Sequence, residues 1–150
     1  MSEDVHTFAV DATWDAETKE GFVGNPDKTF SAKHTGAVSL GGVGGSANPE
    51  ELLLSGVGAC FVQTWAIFLA KLKVPIEKPS LSASCVVEKD PAGGFHVTRI
   101  DLSPRIPAAL WNERRADLEK TLQLAEKYCI VSKAVRGEGR TLTVTPRVEG

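Results

Sequence analysis

Asn48-Pro49-Glu50-Glu51-Leu52-Leu53-Leu54-Ser55-Gly56-Val57-Gly58-Ala59-Cys60-Phe61 is the stretch on which the reading of this chain turns. Asn48 is a capping residue, Pro49 suits a first helical position, and Glu50 and Glu51 complement the positive end of a helix. No charged residue occurs from Leu52 to Ala70, and Val57, Phe61, Thr64, Phe68 and Leu72 recur at helical spacing. An acidic helix start therefore leads into a long apolar helix that carries a thiol ten residues after Glu50. A second thiol, Cys129, closes another helical pattern in Ala125-Glu126-Lys127-Tyr128-Cys129-Ile130-Val131-Ser132. Two helix-borne thiols without zinc-type spacing point to redox chemistry rather than to a metal site.

The length of 150 residues fits a single domain, 1–150, and a domain of this size buries about 68–70% of its unfolded surface. Such a core needs neither disulfides nor a cofactor to hold it. The net charge is −2 with scattered basic residues, which argues against a nucleic-acid partner. An acidic N-terminus unlike a secretory signal, with an odd count of three cysteines, points to a reducing cytoplasm. The uncharged run is long enough to raise a membrane span. Ser55, Gly56, Gly58, Gln63 and Thr64 lower its apolarity, and burial at the centre of a protein explains a helix apolar on all sides equally well. The expectation is a buried central helix and no membrane.

Working outward, His6–Trp14 and Lys28–His34 read as strands around a polar turn at Ala16–Glu20. Gly41–Ala47 is a loop; no Gly-Lys-Ser/Thr follows it, and the carboxylates of the next helix would repel a phosphate. The Cys60 helix should end near Leu72-Lys73, before Val74-Pro75. Leu81–Lys89 and Gly94–Ser103 form a hairpin across Asp90-Pro91-Ala92-Gly93-Gly94. Pro104 and Pro107 mark the passage to a second long helix, on which Leu110, Arg114, Leu118, Leu122, Ala125 and Cys129 recur. Arg140–Val148 is a final strand with Leu142 and Val144 on one face, and Pro146 relegates its end to an edge. Strands, long helix, strands, long helix, strand is an α+β order.

Taken alone, Cys60 reads as a small buried hydrophobe, inert unless donors or a cation stabilise its thiolate. Gly56 and Gly58 beside it cost helix propensity, which close packing or substrate approach would explain. Cys129 has the same bland reading. Cys85 lies on a strand facing the core and is given no role. His6, His34 and His96 share no ligand spacing, so no metal site is expected. Phe61, Trp65 and Phe68 are candidates to line an apolar pocket, although core packing is the commoner use of such residues.

The pattern Asn48-Pro49-Glu50-Glu51-Leu52, then Ala59-Cys60-Phe61, then Cys129-x-Val131-Ser132 resembles the OsmC/Ohr family of osmotically induced and organic hydroperoxide resistance proteins. The order of elements agrees over nearly the whole chain. The resemblance implies an OsmC-like fold, with antiparallel sheets wrapped around long buried helices in an intertwined homodimer. It implies a thiol-dependent peroxidase acting on organic hydroperoxides and regenerated by a lipoyl-type dithiol. Cys60 would be the peroxidatic cysteine and Cys129 the resolving one, while Glu50 would orient the cation that lowers the Cys60 pKa. Two departures stand out. Ile130 occupies a position where the family usually has proline, and no arginine precedes Arg99, which leaves Lys19, Lys28 and Lys33 as substitute cations. On a straight helix, Glu50 and Cys60 are about 15 Å apart along the axis. Either the helix start bends or Glu50 serves the cysteine of another chain. The competing readings are a relative of the same fold that binds an apolar small molecule, and a structural dimer whose cysteines are core residues.

Overall fold

The computed structural model describes residues 4–150; the first three residues of the acidic N-terminus lie outside the described residues. The chain forms two compact units, residues 1–52 and 53–150.

The first unit holds a three-stranded antiparallel sheet in the order β1 (Asp11–Ala12), β2 (Gly21–Gly24), β3 (Ser31–His34). The turn expected at Ala16–Glu20 is present, with Asp15 Oδ1 accepting the N–H groups of Glu17 and Thr18 at 2.8 and 3.1 Å. The strand expected over His6–Trp14 shrinks to Asp11–Ala12, and β3 begins at Ser31 because Lys28 sits in a turn with φ of 63°. β2 has no counterpart in the sequence reading. Only Phe22 and Val23 stand between its two glycines, too few residues to show an alternation. Those glycines are required by close approach: a Cβ on Gly21 would lie 1.9 Å from the Thr13 carbonyl oxygen, and one on Gly24 2.3 Å from that of Phe30. Buried Thr35 ties the unit together, its N–H donating to the Ala47 carbonyl and its hydroxyl to that of Lys19, at 2.9 and 2.8 Å.

Helix α1 runs over Pro49–Lys71. Its start is a reciprocal capping box. Asn48 Oδ1 accepts the Glu51 N–H at 2.8 Å, and Glu51 Oε1 accepts the Asn48 N–H at 3.1 Å. Lys73, at φ of 55°, turns the chain away after its last turn.

The second unit contains a sheet in which β4 (Leu81–Lys89) pairs antiparallel with β5 (Phe95–Pro107). β6 (Thr141–Val144) and β7 (Arg147–Glu149) pair successively along the other edge of β5, both parallel to it. The β4–β5 hairpin closes over Asp90–Gly94, with Gly93 and Gly94 at φ of 110° and 75°. β5 continues through Pro104 instead of ending at Ser103 as the prolines had implied. The Arg105 N–H donates to the Ser80 carbonyl on the β4 side, so the missing Pro104 N–H faces the opposite edge. There the partner changes from β6 to β7 across Thr145-Pro146, and no ladder donor is needed. The same break divides the single strand expected over Arg140–Val148.

Helix α2 spans Ala108–Tyr128 and α3 spans Ile130–Val135. α2 is kinked at Arg114, whose backbone is non-helical (φ −127°, ψ 33°). The Arg114 guanidinium donates to the Leu72 and Lys73 carbonyls at 3.1 Å each and so caps the end of α1. The core of this unit is a stripe of α1 (Val57, Phe61, Trp65, Leu69) packed with Ile100, Leu102 and Ile106 of β5 and Leu118, Leu122 and Ala125 of α2. Trp65 is fully buried and donates its Nε1–H to Thr121 Oγ1 at 3.0 Å, while the Thr121 hydroxyl donates to the Leu118 carbonyl.

Within one chain α1 is only partly covered. One stripe at four-residue steps is buried, whereas Ile67 stands 53% exposed and Leu53 36%. Among the described residues α1 is the one helix long and apolar enough to cross a membrane, a test that a core helix also passes. Its largest aromatic side chains, Phe61 and Trp65, are committed to the core.

Thr121→Val keeps the volume of the side chain but strands the Trp65 indole N–H in the core. Leaving such a donor unsatisfied costs about 1–3 kcal/mol. The urea midpoint of the variant should fall accordingly with an unchanged m-value, and an unaltered midpoint would show that the bond contributes nothing.

Candidate active site

Cys60 lies on α1 between the buried positions Val57 and Phe61 and is half-buried. Cys129 is completely buried and is the only residue between α2 and α3. Its backbone is extended (φ −69°, ψ 109°), which ends one helix and starts the next. Its N–H still donates to the Ala125 carbonyl, and its carbonyl accepts the Lys133 N–H. The direction of the chain therefore changes without loss of backbone hydrogen bonds.

The fold brings the two thiols together. The two thiols lie close enough that each shifts the ionisation of the other, and none of the three cysteines forms a disulfide. The first turn of any helix leaves N–H groups without intrahelical partners. In α3 the Ile130 and Val131 amides lie near Cys60 and the Ser132 amide near Cys129, each favouring negative charge on that sulfur, while the Lys133 N–H closes onto the Cys129 carbonyl. Side-chain hydroxyls complete the set. Ser132 Oγ, fully buried, donates to Cys129 Sγ at 3.0 Å. The Thr64 hydroxyl donates to the Cys60 carbonyl at 2.8 Å and is also within reach of the Cys60 sulfur.

These donors separate the two thiols electrostatically. Burial pushes Cys60 up, but the Val131 N–H, the Cys129 thiol, the Ile130 N–H and the Thr64 hydroxyl together outweigh it, so Cys60 titrates below an ordinary cysteine. Burial also pushes Cys129 up, and although Ser132 opposes this, the proximity of the Cys60 thiolate adds to the rise. Of the two, Cys60 is thus the sulfur that ionises first as pH rises, and Cys129 keeps its proton longer. A thiolate beside a protonated thiol, at the start of a short helix, can act as a nucleophile with a second sulfur ready to follow.

Other residues named from the sequence fall in different places. Glu50 is in the first turn of α1, where its Oε2 is enclosed without a hydrogen-bond partner among the described residues. Glu51, by contrast, is used in the capping box. Lys33 forms an ion pair with Glu20 at 2.5 Å, and Lys19 and Lys28 occupy left-handed turn positions. Cys85 lies opposite Ile100 and packs against the core. Phe61 and Trp65 are core residues, while Phe68 stacks on Tyr128 with ring centroids 5.6 Å apart. A cavity of about 330 Å³ is lined by Trp111, Arg115, Glu119, Leu122, Val144 and Pro146 and holds neither thiol. Among the described residues no group of three or more His, Cys, Asp or Glu side chains is arranged to hold a metal ion. Thr64 and the amides of Ile130 and Val131 were missed by sequence reasoning. A backbone amide has no residue code, and its use is visible only once Cys129 is seen to break the helix.

An α+β fold that joins a helix-borne thiolate to a second thiol at a helix junction defines a class of paired-cysteine proteins. A family profile described as OsmC-like protein matches residues 42–145, and the chain belongs to that family. It is 32% identical over 121 residues to organic hydroperoxide resistance protein-like 2 of Staphylococcus epidermidis, which covers 79% of this chain and 82% of the relative. It is 34% identical over 122 residues to the organic hydroperoxide resistance protein of Xanthomonas axonopodis pv. citri, covering 79% and 81%. The crystal structure of an organic hydroperoxide resistance protein OsmC from Legionella pneumophila superposes with a TM-score of 0.75 at 25% identity, over 99% of this chain and 100% of that one. The OsmC-like α+β fold anticipated from the sequence is the fold observed.

Ile130→Pro isolates one donor. The side chain is 74% exposed, proline is favoured at a first helical position, and Cys129 already has the extended backbone that a following proline demands. The variant should fold while losing one N–H to Cys60. Loss of a hydrogen bond to a charged group should slow Cys60 alkylation by iodoacetamide at pH 7 by about tenfold, with its pH profile moved upward. Ile130→Val should behave as wild type. An unmoved profile in the proline variant would remove the amide from the set of donors.

Proposed function

We propose that this chain is a cysteine-based thiol peroxidase that reduces organic hydroperoxides. The observation that carries the reading is the proximity of two thiols, Cys60 shifted toward ionisation and Cys129 shifted away from it. Cys60 thiolate attacks the terminal oxygen of R–O–OH. The S–O bond forms, the O–O bond breaks, and the alkoxide leaves as an alcohol after taking a proton. The Cys60 sulfenic acid then condenses with the Cys129 thiol to a disulfide, expelling water and preventing further oxidation. A dithiol of the lipoyl type restores both thiols by exchange. The relatives' names, organic hydroperoxide resistance protein and its like, favour this substrate class.

The active form in this proposal is a homodimer of a single functional domain, 1–150, working in a reducing cytoplasm. The exposed apolar side of α1 supports a partner chain there. Glu50 has the role of orienting a cation toward the thiolate of the other subunit. Its enclosed, unpartnered Oε2 supports a missing donor. The second reading, an OsmC-like protein that binds an apolar small molecule without efficient peroxidase activity, draws on the absence of any arginine before Arg99 and on the engagement of Lys33 by Glu20.

Consumption of cumene hydroperoxide with dihydrolipoamide as reductant tests the proposal. Wild type should turn over, Cys60→Ser should lose activity at least about a thousandfold, as expected when a covalent nucleophile is removed, and Cys129→Ser should be inactivated by over-oxidation. Peroxide-treated wild type should contain a Cys60–Cys129 disulfide by mass mapping. A wild-type chain that neither turns over nor forms this disulfide would sink the peroxidase in favour of the binding protein.

A further inference from the structure

We infer that Ser132 holds Cys129 as the departing thiolate when the Cys60–Cys129 disulfide is reduced, and so directs the reductant to Cys60. The inference rests on the disulfide cycle proposed above. The dithiol state observed here is the product state of that reduction, so the donors around Cys129 are the ones its sulfur meets on leaving. The one that geometry fixes is the Ser132 hydroxyl, which donates to Cys129 Sγ at 3.0 Å; the nearby Ser132 amide also favours negative charge on that sulfur. Ser132 and Cys129 are both completely shielded from solvent, whereas Cys60 is partly accessible.

Exchange proceeds by attack on one sulfur with expulsion of the other, and it is faster when the leaving thiol is the more acidic. Access leaves Cys60 as the sulfur that an incoming dithiol reaches. The first reductant thiolate forms an S–S bond to Cys60, the Cys60–Cys129 bond breaks, and the electron pair leaves on Cys129. That negative charge appears on a buried sulfur, where burial alone would oppose it. The Ser132 hydroxyl is already bonded to this atom, so no reorganisation is needed to receive the charge. The second thiolate of the dithiol then attacks its own sulfur in the mixed disulfide and releases Cys60 as a thiolate to the Ile130 and Val131 amides. The dithiol supplies two electrons and two protons; one proton ends on Cys129, and the other ends on Cys60 or, at a pH where Cys60 is ionised, in solvent.

The position of Cys129 in the chain explains why one residue can do this. Cys129 is the N-cap of α3, and Ser132 is its third helical residue, the pairing that in an ordinary cap joins a side-chain acceptor to the helix amides. Here no amide closes that bond onto the sulfur, and the Ser132 hydroxyl reaches it instead.

The two half-reactions separate this role from a structural one. The reduced full-length protein is oxidised with cumene hydroperoxide, and the disulfide form is reduced with dihydrolipoamide under stopped flow. In Ser132→Ala the reduction should slow by about tenfold, the usual weight of one hydrogen bond to a charged group, while oxidation changes by less than about threefold on the same scale. Ser132→Thr, which keeps a hydroxyl, should recover the reduction rate. In wild type, a monothiol reductant quenched early should be found on Cys60. An adduct on Cys129, or equal slowing of both half-reactions in Ser132→Ala, would overturn the inference. If hydroperoxide forms no disulfide, diamide can install the same bond. Loss of the peroxidase reading is then distinguished from loss of the Ser132 role.

Discussion

The site depends on a single break in a helix. α2 and α3 would be one rod if Cys129 were helical, and the amides of Ile130, Val131 and Ser132 would then be spent on carbonyls of the preceding turn. One extended residue frees them, and the fold places two sulfurs where they point. The break is stabilised from both sides, because the Cys129 N–H and carbonyl complete the last turn of α2 and the first of α3. A helix terminus normally leaves its donors to water or to a capping side chain. In this chain they favour ionisation of Cys60 over that of Cys129.

That difference is chemically directional. Donors around Cys60 favour its thiolate against the cost of burial, and one of those donors is the Cys129 thiol itself. Ionising Cys129 as well would place two negative charges in contact, so ionisation of one sulfur suppresses that of the other. The order of events in the proposed cycle follows from this asymmetry, with Cys60 acting first and Cys129 second. The absence of an arginine before Arg99, read from sequence as a deficit, is partly offset by an amide at Ile130 that a proline would not supply.

The legible parts of the chain were those in which side chains report their own environment. The cap at Asn48, the end of α1 near Lys71 and the hairpin at Asp90–Gly94 all follow from residue types with strong local preferences. β2 escaped because four residues with a glycine at each end carry no periodicity. β5 was cut short at Pro104 because the expected break assumed a ladder partner on both sides, and one partner changes there. Within the site, both cysteines were legible as residues, but their contact was not, since 69 residues of sequence separate positions 60 and 129. Nothing local specifies that two helix positions converge. The aromatics beside Cys60 misled for the opposite reason: Phe61 and Trp65 are near it in sequence but belong to the buried stripe.

α1 is the element whose sequence exceeds what its own chain asks of it. Val57, Phe61, Trp65 and Leu69 satisfy the core, yet Leu53 and Ile67 remain exposed on a helix with no charge from Leu52 to Ala70. Burying one such side chain is worth about 1.5–3 kcal/mol, so a second surface that covered this side would be rewarded. The glycines point the same way. A Cβ on Gly58 would meet Leu81 at 3.5 Å and one on Gly56 would meet Val131 at 3.9 Å, both ordinary contacts. Packing within the chain therefore does not require glycine at either position, although each costs about 1 kcal/mol of helix propensity relative to alanine. In the proposed homodimer both costs have a cause, because a second backbone approaching α1 needs the space that a missing Cβ leaves. The same approach would bring a partner subunit to the exposed side of the helix that carries Cys60, where a carboxylate serving another chain could meet the thiolate.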